Sequence, residues 1–503
     1  MSTRKSGPVG VGSVTTPRVV IGHSVMGDLD TLLRVGYPVR PEWVEGRDVW
    51  DSLLLARMAD ETRLSYGLED LVCDEFPVRP WKEPSQSLFE ASGDMGTVPP
   101  EVLQERCRRD AWGSALLVGK YAPTLPPGLV EFTHRTAATL HRMCLAGGTV
   151  WRPAVVRFIQ DVEAAYGAKR EVVRAAALGV GMADLSPSND FHLRELLFKR
   201  LGLSSAGSTP TGLPRVDADA LAALDHPVVR MIEDYAEWEK LNSTYAKSFA
   251  QRLRDLSPDV GWLEWHINPL GARTGRRSSQ DPNSQNLPPT LRACFCSRFP
   301  GGRIFSGDFA RLEVVIIAWL SGEERLLQWF TGGRGYIDVA KALLGQEVED
   351  GTDAYKTVKQ LVLATHYRAR GKRAAEVLRG MGIIVSDREA QALQDRYLRA
   401  FPGLRRYMDA RREEMVTTGA IRSPVGRVRH LPCPDGEATP GFWGMWNQAV
   451  NFPVQSLASD ITAAACLDVE VALCAAAGVS LMDHHRALVN WHATRMGLTA
   501  APR

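Results

Sequence analysis

Residues 304–322 read Ile-Phe-Ser-Gly-Asp-Phe-Ala-Arg-Leu-Glu-Val-Val-Ile-Ile-Ala-Trp-Leu-Ser-Gly, and the rest of the chain can be read outward from them. The apolar start predicts a strand ending at Asp308, with a helix beginning a few residues later. Leu312, Val315, Ile316 and Trp319 fall at i, i+3, i+4 and i+7, the stripe of an amphipathic helix. A carboxylate at a strand-to-helix junction reaches a cleft while its backbone stays anchored in the core. Such an Asp suits a divalent cation bound to phosphate oxygens, because Mg²⁺ takes hard oxygen ligands and leaves positions for substrate. Glu313, a little over one helical turn past the junction, can line the same cleft.

The stretch resembles motif A of the family A DNA polymerases, a strand, then Asp-Tyr-Ser-Gln-Ile-Glu-Leu-Arg, then a helix ending in Leu-Ser-Gly. Here it reads Asp308-Phe309-Ala310-Arg311-Leu312-Glu313-Val314-Val315, then Leu320-Ser321-Gly322. The resemblance implies that Asp308 is a ligand of both catalytic Mg²⁺ ions. It also implies that Glu313 crowds the sugar 2′ position and so selects deoxynucleotides. Val315 replaces the family's Arg and removes one charge.

Upstream, Thr274-Gly275-Arg276-Arg277-Ser278-Ser279-Gln280-Asp281-Pro282-Asn283-Ser284-Gln285-Asn286-Leu287-Pro288 is similar to the family's TGRLSSSDPNLQNIP signature. It is a polar loop with Asp-Pro turn chemistry. Arg276 can clamp a phosphate or base edge, while Asn283 and Gln285 can hydrogen-bond in a groove without carrying charge. Downstream, Asn451-Phe452-Pro453-Val454-Gln455 resembles the element before the second catalytic carboxylate. It places Gln455 as a DNA contact at the start of an Ala-rich helix running through Cys474.

The fingers pattern Arg-x3-Lys-x3-Phe/Tyr-x3-Tyr-Gly is met by Tyr355, Lys359, Leu363 and Tyr367, with Arg368 at the Gly position. Spacing of four stacks them on one helical face. By the resemblance Lys359 neutralises the incoming triphosphate and Tyr367 stacks near the templating base. Lys356 stands next to Tyr355, which has lost the phosphate-binding Arg. Asp308, Glu313 and Lys359 are thus the expected catalytic set. Lys240, in the thumb-like Lys240-Leu241-Asn242-Ser243-Thr244-Tyr245, and Arg427, in Ser423-Pro424-Val425-Gly426-Arg427, are further expected DNA contacts.

Before residue 118 the chain resembles a DnaQ-like 3′–5′ exonuclease. His23-Ser24-Val25-Met26-Gly27-Asp28 is similar to its second motif and keeps Asp28. Val49 to Arg57 is similar to the strand-to-helix stretch that follows. Cys107-Arg108-Arg109-Asp110 is similar to the third motif, with Arg106 at its Tyr position. The Asp-x-Glu of the first motif has no counterpart, so a truncated or degenerate domain without nuclease activity is expected.

Nucleotidyl transfer by two metals needs a second carboxylate from another part of the fold. The family's His-Asp-Glu does not occur, and three readings stand open. Leu488 to Trp491 could be the hairpin strand, with His492 the motif's His and Ala493 replacing its Asp. Met482-Asp483-His484 could be a variant, making Asp483 the second ligand. Or the motif is lost from a cut or altered frame near the tail. Residues 480–491 also admit a helix, with Ser480 as N-cap.

The expected fold class is therefore an α/β N-terminal RNase H-like exonuclease domain followed by an α+β right-hand polymerase of palm, fingers and thumb. Residues 1–118 form the exonuclease-like part and 119–260 connecting helices and thumb. Residues 261–322 with 411–503 form the palm, and 323–410 the fingers. Expected partners are primer–template DNA, deoxynucleoside triphosphates and replication accessory proteins. The departures from pattern and the modest size resemble phage-type replication polymerases.

Composition agrees with a chain of several domains: 503 residues, 45% hydrophobic, 23% charged, net charge +2. Charge is uneven, however. Lys356, Lys359, Arg368, Arg370, Lys372, Arg373 and Arg379 are offset between Lys356 and Arg379 only by Glu376, which suits a phosphate-rich partner. The 8 cysteines show no zinc spacing, so buried free thiols in a reducing cytoplasm are expected. Residues 1–18 read as a disordered tail. No apolar run reaches membrane-spanning length, so no membrane partner is expected.

Overall fold

The computed structural model describes residues 18–498 except 206, 210, 346, 369–370, 372–373 and 376–384. The expected N-terminal tail up to residue 17 lies outside the described residues. So do Arg370, Lys372, Arg373, Glu376 and Arg379 of the basic stretch. The chain folds as two compact units. The first lies within Met1–Arg142, Pro269–Arg277 and Gly307–Arg503, the second within Met143–Asn268 and Ser278–Ser306.

In the first unit β1 (Val20–Gly22) pairs in parallel with β2 (Val49–Asp51), Ile21 opposite Trp50. Each strand runs straight into a helix, Val25–Arg34 after β1 and Ser52–Ala59 after β2. Both helix starts converge on one buried side chain. The Asp51 carboxylate accepts from Leu53 N at 2.9 Å, and from Ser24 N and Val25 N at 3.0 Å each. A carboxylate there satisfies orphan amides and meets the positive helix ends. Among the described residues up to 142 these are the two strands, so the expected RNase H-like sheet is reduced to a pair. The intervening sequence has gone into helices instead, chief among them Pro100–Tyr121, which packs on β1, β2 and Ser52–Ala59.

The second unit is built on two long helices, Arg152–Leu178 and Pro227–Lys240, packed along each other over Val173, Leu196, Leu197, Ile232 and Tyr235. The second continues as a π turn, Leu241–Ala246, whose buried Tyr245 hydroxyl donates to Asn286 O. An antiparallel sheet orders β3 (Gly148–Trp151), β4 (Leu253–Asp255) and β5 (Val260–Leu263) as β3-β5-β4. A separate antiparallel pair joins β6 (His266–Asn268) to β7 (Ser278–Gln280).

The largest core lies in the first unit, around helix Leu312–Leu320. Val314, Ile317 and Ala318 pack with Leu326, Phe330, Val358, Val362, Tyr397, Phe401, Leu404, Val450 and Val454. The expected stripe is met in part: Ile316 is buried and Leu312 and Val315 pack against the core, but Trp319 is 56% exposed, and Val314, Ile317 and Ala318 are buried as well. A helix apolar on nearly every side has no unique stripe; its neighbours Glu324–Thr331 and Phe442–Ala476 choose the face. Helix Asp387–Ala400 opens on the full Ser386–Glu389 capping box. β8 (Ala420–Arg422) and β9 (Val428–His430) form an antiparallel hairpin.

Three expectations about elements are corrected. Residues 302–309 form no strand, and Ile304, Phe305 and Phe309 are exposed. A strand needs a hydrogen-bonding neighbour, and no described strand pairs with this segment. The helix carrying Gln455 begins at Phe442, with Pro453 inside it, and ends at Ala476. Residues 481–495 are a helix capped by Ser480, so Leu488 to Trp491 is not a hairpin strand. Its Met482 packs with Val25, Leu29, Trp43 and Val44. All 8 cysteines are free, as expected, but only Cys294, Cys433 and Cys474 are buried; Cys73, Cys144, Cys296 and Cys466 are half-buried and Cys107 is exposed.

Candidate active site

Glu313 is the point where the predicted residues meet. It lies in the first turn of helix Leu312–Leu320. One carboxylate oxygen accepts from Arg276 Nη2 and the other from the Tyr367 hydroxyl. Motif loop, motif A helix and fingers helix are thereby joined at one acid. Both bonds are charge-assisted, and the pair fixes the carboxylate's orientation.

Arg276 is placed by the turn beside it. Gly275 has φ +77, and a Cβ there would lie 3.0 Å from Arg427 Cδ, so a side chain is refused on both counts. The turn closes through Ala272 N to Arg276 O at 3.0 Å and Gly275 N to Ala272 O at 2.9 Å. Ser459 Oγ donates to Gly275 O at 3.1 Å and receives Arg277 Nη1 at 2.6 Å. Burial pushes the Arg277 guanidinium down to about 10, although Asp460 pulls it the other way.

Asp460, 3% exposed, is the anchor that sequence reasoning missed. It takes Arg427 Nε at 3.1 Å and Nη2 at 2.9 Å, with Arg277 Nη2 at 3.7 Å. The available signal was an acid between Ala458 and Ile461 in a mostly apolar, Ala-rich stretch, a place where a charge needs partners. Arg427 departs from its expected DNA-contacting role. It is 6% exposed and committed to Asp460 and Thr133.

The fingers helix Asp353–His366 is capped by Thr352. Tyr355, expected on the nucleotide face, is turned into the core, 5.6 Å from the Tyr336 ring. It shares a face with Val358 and Val362, and that apolar row sets the helix's rotation. Lys356 and Lys359 are exposed; Lys356 meets Asp353 at 3.1 Å, and Lys359 has no ion-pair partner among the described residues. Leu363 is half-buried against the core. Arg368 adopts φ +54, which explains why the family pattern has Gly there. Its guanidinium lies 3.2 Å from the Trp446 ring centroid and donates to Asn447 Oδ1 at 3.1 Å.

Gln455 is half-buried within the long helix Phe442–Ala476. In the second unit, Lys240 and Gln285 are exposed, and Asn283 Oδ1 accepts from Ser279 Oγ at 3.2 Å. Among the described residues, Asp28 and Asp110 belong to no cluster with metal-ligand geometry. Partial desolvation, with the charge of Asp51, raises the Asp28 carboxyl above its ordinary range. Asp110 receives Trp81 Nε1 at 2.9 Å and faces Arg106 at 3.8 Å.

Asp308 is exposed, and among the described residues it has no hydrogen-bond or ion-pair partner. Asp483 sits in the first turn of a helix, where it receives the Ser480 hydroxyl at 2.7 Å and faces Arg486 at 3.5 Å. Glu313 is already engaged. Among the described residues the three-residue cluster with metal-ligand geometry is Asp60, Glu61 and His430, outside every motif above. These residues therefore do not fit a two-metal centre at Asp308.

The chain matches DNA polymerase family A over residues 159–489. It is 31% identical over 283 residues to the thermostable DNA polymerase I of Thermus aquaticus, covering 54% of this chain and 33% of that protein. To DNA polymerase I of Pseudomonas aeruginosa it is 28% identical over 318 residues, covering 60% and 34%. The chain thus spans about a third of the length of these curated relatives. Its fold is similar to that of the POL domain of Pol1 from M. smegmatis, solved in complex with DNA primer-template and dNTP. That likeness has a TM-score of 0.64 at 22% identity, over 89% of this chain and 78% of that one. Fold, motifs and match together place the protein in DNA polymerase family A, as a helix-rich polymerase domain.

Proposed function

We propose that the protein carries out template-directed DNA synthesis, adding deoxynucleotides to a primer 3′-OH. The observation that carries this reading is the junction at Glu313, where Arg276 and Tyr367, the latter at the end of the helix that bears Lys359, hold a carboxylate at both oxygens. A carboxylate fixed at both oxygens cannot rotate away from an extra hydroxyl, so a ribose 2′-OH meets a crowded, occupied acceptor. Lys359, exposed and without an ion-pair partner among the described residues, neutralises the triphosphate of the incoming nucleotide. Tyr367 stands at the helix end beside the templating position. Lys240, Asn283, Gln285 and Gln455 contact primer–template through phosphates and groove edges.

Family A polymerases are metal-dependent, and Mg²⁺ is the ion we propose, with Asp308 as its ligand. Of the two motif A carboxylates only Asp308 is without a partner among the described residues, since Glu313 is engaged by Arg276 and Tyr367. In this reading residues 261–322 with 411–503 serve as palm, 323–410 as fingers and 119–260 as connection and thumb. Residues 1–118 are a reduced exonuclease-like segment without nuclease activity, as in a phage-type enzyme acting in the cytoplasm with accessory proteins. The lone Asp308 carboxylate favours a second reading, a DNA-binding polymerase relative that grips without chemistry.

Primer extension separates the two. Synthesis predicts template-matched extension by the purified chain that requires added Mg²⁺ and is lost in Asp308→Ala. Salt-sensitive binding of primer–template with no extension contradicts synthesis and leaves the second reading.

A further inference from the structure

Within the first unit a cavity of about 280 Å³ is lined by four arginines, Arg57, Arg63, Arg273 and Arg427, together with Glu61 and Tyr66. Their charges do not cancel. Arg63 is neutralised by Asp60, Asp74 and Glu75, and Arg427 by Asp460. Glu61 is in turn committed to Arg429 at 3.0 Å and His430 Nδ1 at 2.8 Å. Arg57 and Arg273 remain, and among the described residues neither has an acidic partner.

Arg57 is also held ready. Its Nη1 donates to Leu270 O at 3.1 Å and its guanidinium lies 4.3 Å over the Tyr66 ring. Its Nε–H, however, is buried with no acceptor among the described residues, whereas that of Arg63 faces Asp60 at 3.6 Å. A buried donor left without an acceptor, beside charge that no acid offsets, suits an anion. A guanidinium's fork of donors matches phosphate oxygens better than any other common anion save carboxylate.

We propose that this cavity is a phosphate-ester site, holding one phosphate of a nucleotide between Arg57 and Arg273. The ester can come from a backbone phosphate of single-stranded DNA or from a free deoxynucleotide. A space of this size admits a strand or a mononucleotide but not a duplex. The strand source rests on the DNA-binding reading above, since Arg273 stands on the same loop as Arg276.

The test uses the full chain and its Arg273→Ala variant, in which an exposed side chain is removed with little risk to folding. Labelled oligo(dT) binding by anisotropy is measured against salt, with dTMP binding measured alongside. A strand phosphate predicts about tenfold weaker oligo(dT) binding and a log–log salt slope flatter by about 0.7. A free nucleotide predicts the loss in dTMP binding instead. Arg57→Lys, keeping the charge without the fork, weakens the same ligand less. Unchanged binding of both probes and an unchanged slope in Arg273→Ala would overturn the site. Arg276→Ala on primer–template distinguishes the failures. If it weakens binding while Arg273→Ala does nothing to either probe, only this inference falls. If the wild-type chain does not bind primer–template at all, the DNA-binding reading falls first.

Discussion

Asp308 and Glu313 stand five residues apart in one motif, yet the structure treats their surroundings in opposite ways. Residues 302–309 are an exposed, unpaired segment, with Phe305 91% exposed. Residues 312–320 are a helix locked into the largest core, and Glu313 at its start has both oxygens engaged. A helix satisfies its backbone from within and needs only a face to bury. A strand needs a neighbour to satisfy its amides and carbonyls. The motif's two carboxylates thus depend on different parts of the chain, one on local packing, the other on a partner strand.

The largest effect is expected at Asp460, the anchor beneath the loop whose Arg276 holds Glu313. Asp460→Ala leaves Arg427 and Arg277 buried without their counter-charge. A loss of about 3–5 kcal/mol in denaturant unfolding is expected, and a change under about 1 kcal/mol would show that the loop is held otherwise.

Acid tests the same core through His366, fully buried and hydrogen-bonded to the Tyr397 hydroxyl at 2.8 Å. Burial lowers its imidazole to about 3. Below an unfolded value near 6.5, the unfolded chain takes up a proton that the folded chain refuses. Its stabilising share is thus full above pH 6.5 and drains away as pH falls toward 3. Between pH 7 and 4 the loss is roughly 3 kcal/mol. His366→Gln should flatten the melting temperature against pH over this range; an unchanged slope removes His366 as the cause.

Two smaller substitutions compare the segments directly. Ile317→Val, in the core, should cost about 0.5–1.5 kcal/mol. Phe305→Ser, on the unpaired segment, should stay within about 0.5 kcal/mol. Equal costs in urea melts would mean that residues 302–309 are packed in solution as firmly as the helix.

Legibility in the sequence follows the same division. The Ser386 capping box, the Ser480 cap and the helices at 312 and 353 were readable because their signals are local. Arg276, Glu313 and Tyr367 were readable from motif resemblance, and the structure joins them. The face of helix 312–320 was readable only in part, because an all-apolar helix has no unique stripe. Tyr355 was misread because spacing of four runs along a helix without saying which row is buried. Arg427 was misread because its partner Asp460 lies 33 residues away in sequence, and sequence alone does not reveal that pairing. Asp51, which caps two helix starts at once, escaped notice for the same reason.

The central claim is that the Glu313 junction selects the sugar during DNA synthesis. Its most direct test is primer extension with matched deoxy- and ribonucleotides by the wild-type chain and by Glu313→Ala. Strong preference for deoxynucleotides is expected in the wild type, and a preference weakened about tenfold or more in the variant, about 1.4 kcal/mol per factor of ten. Equal discrimination by the two proteins would contradict it.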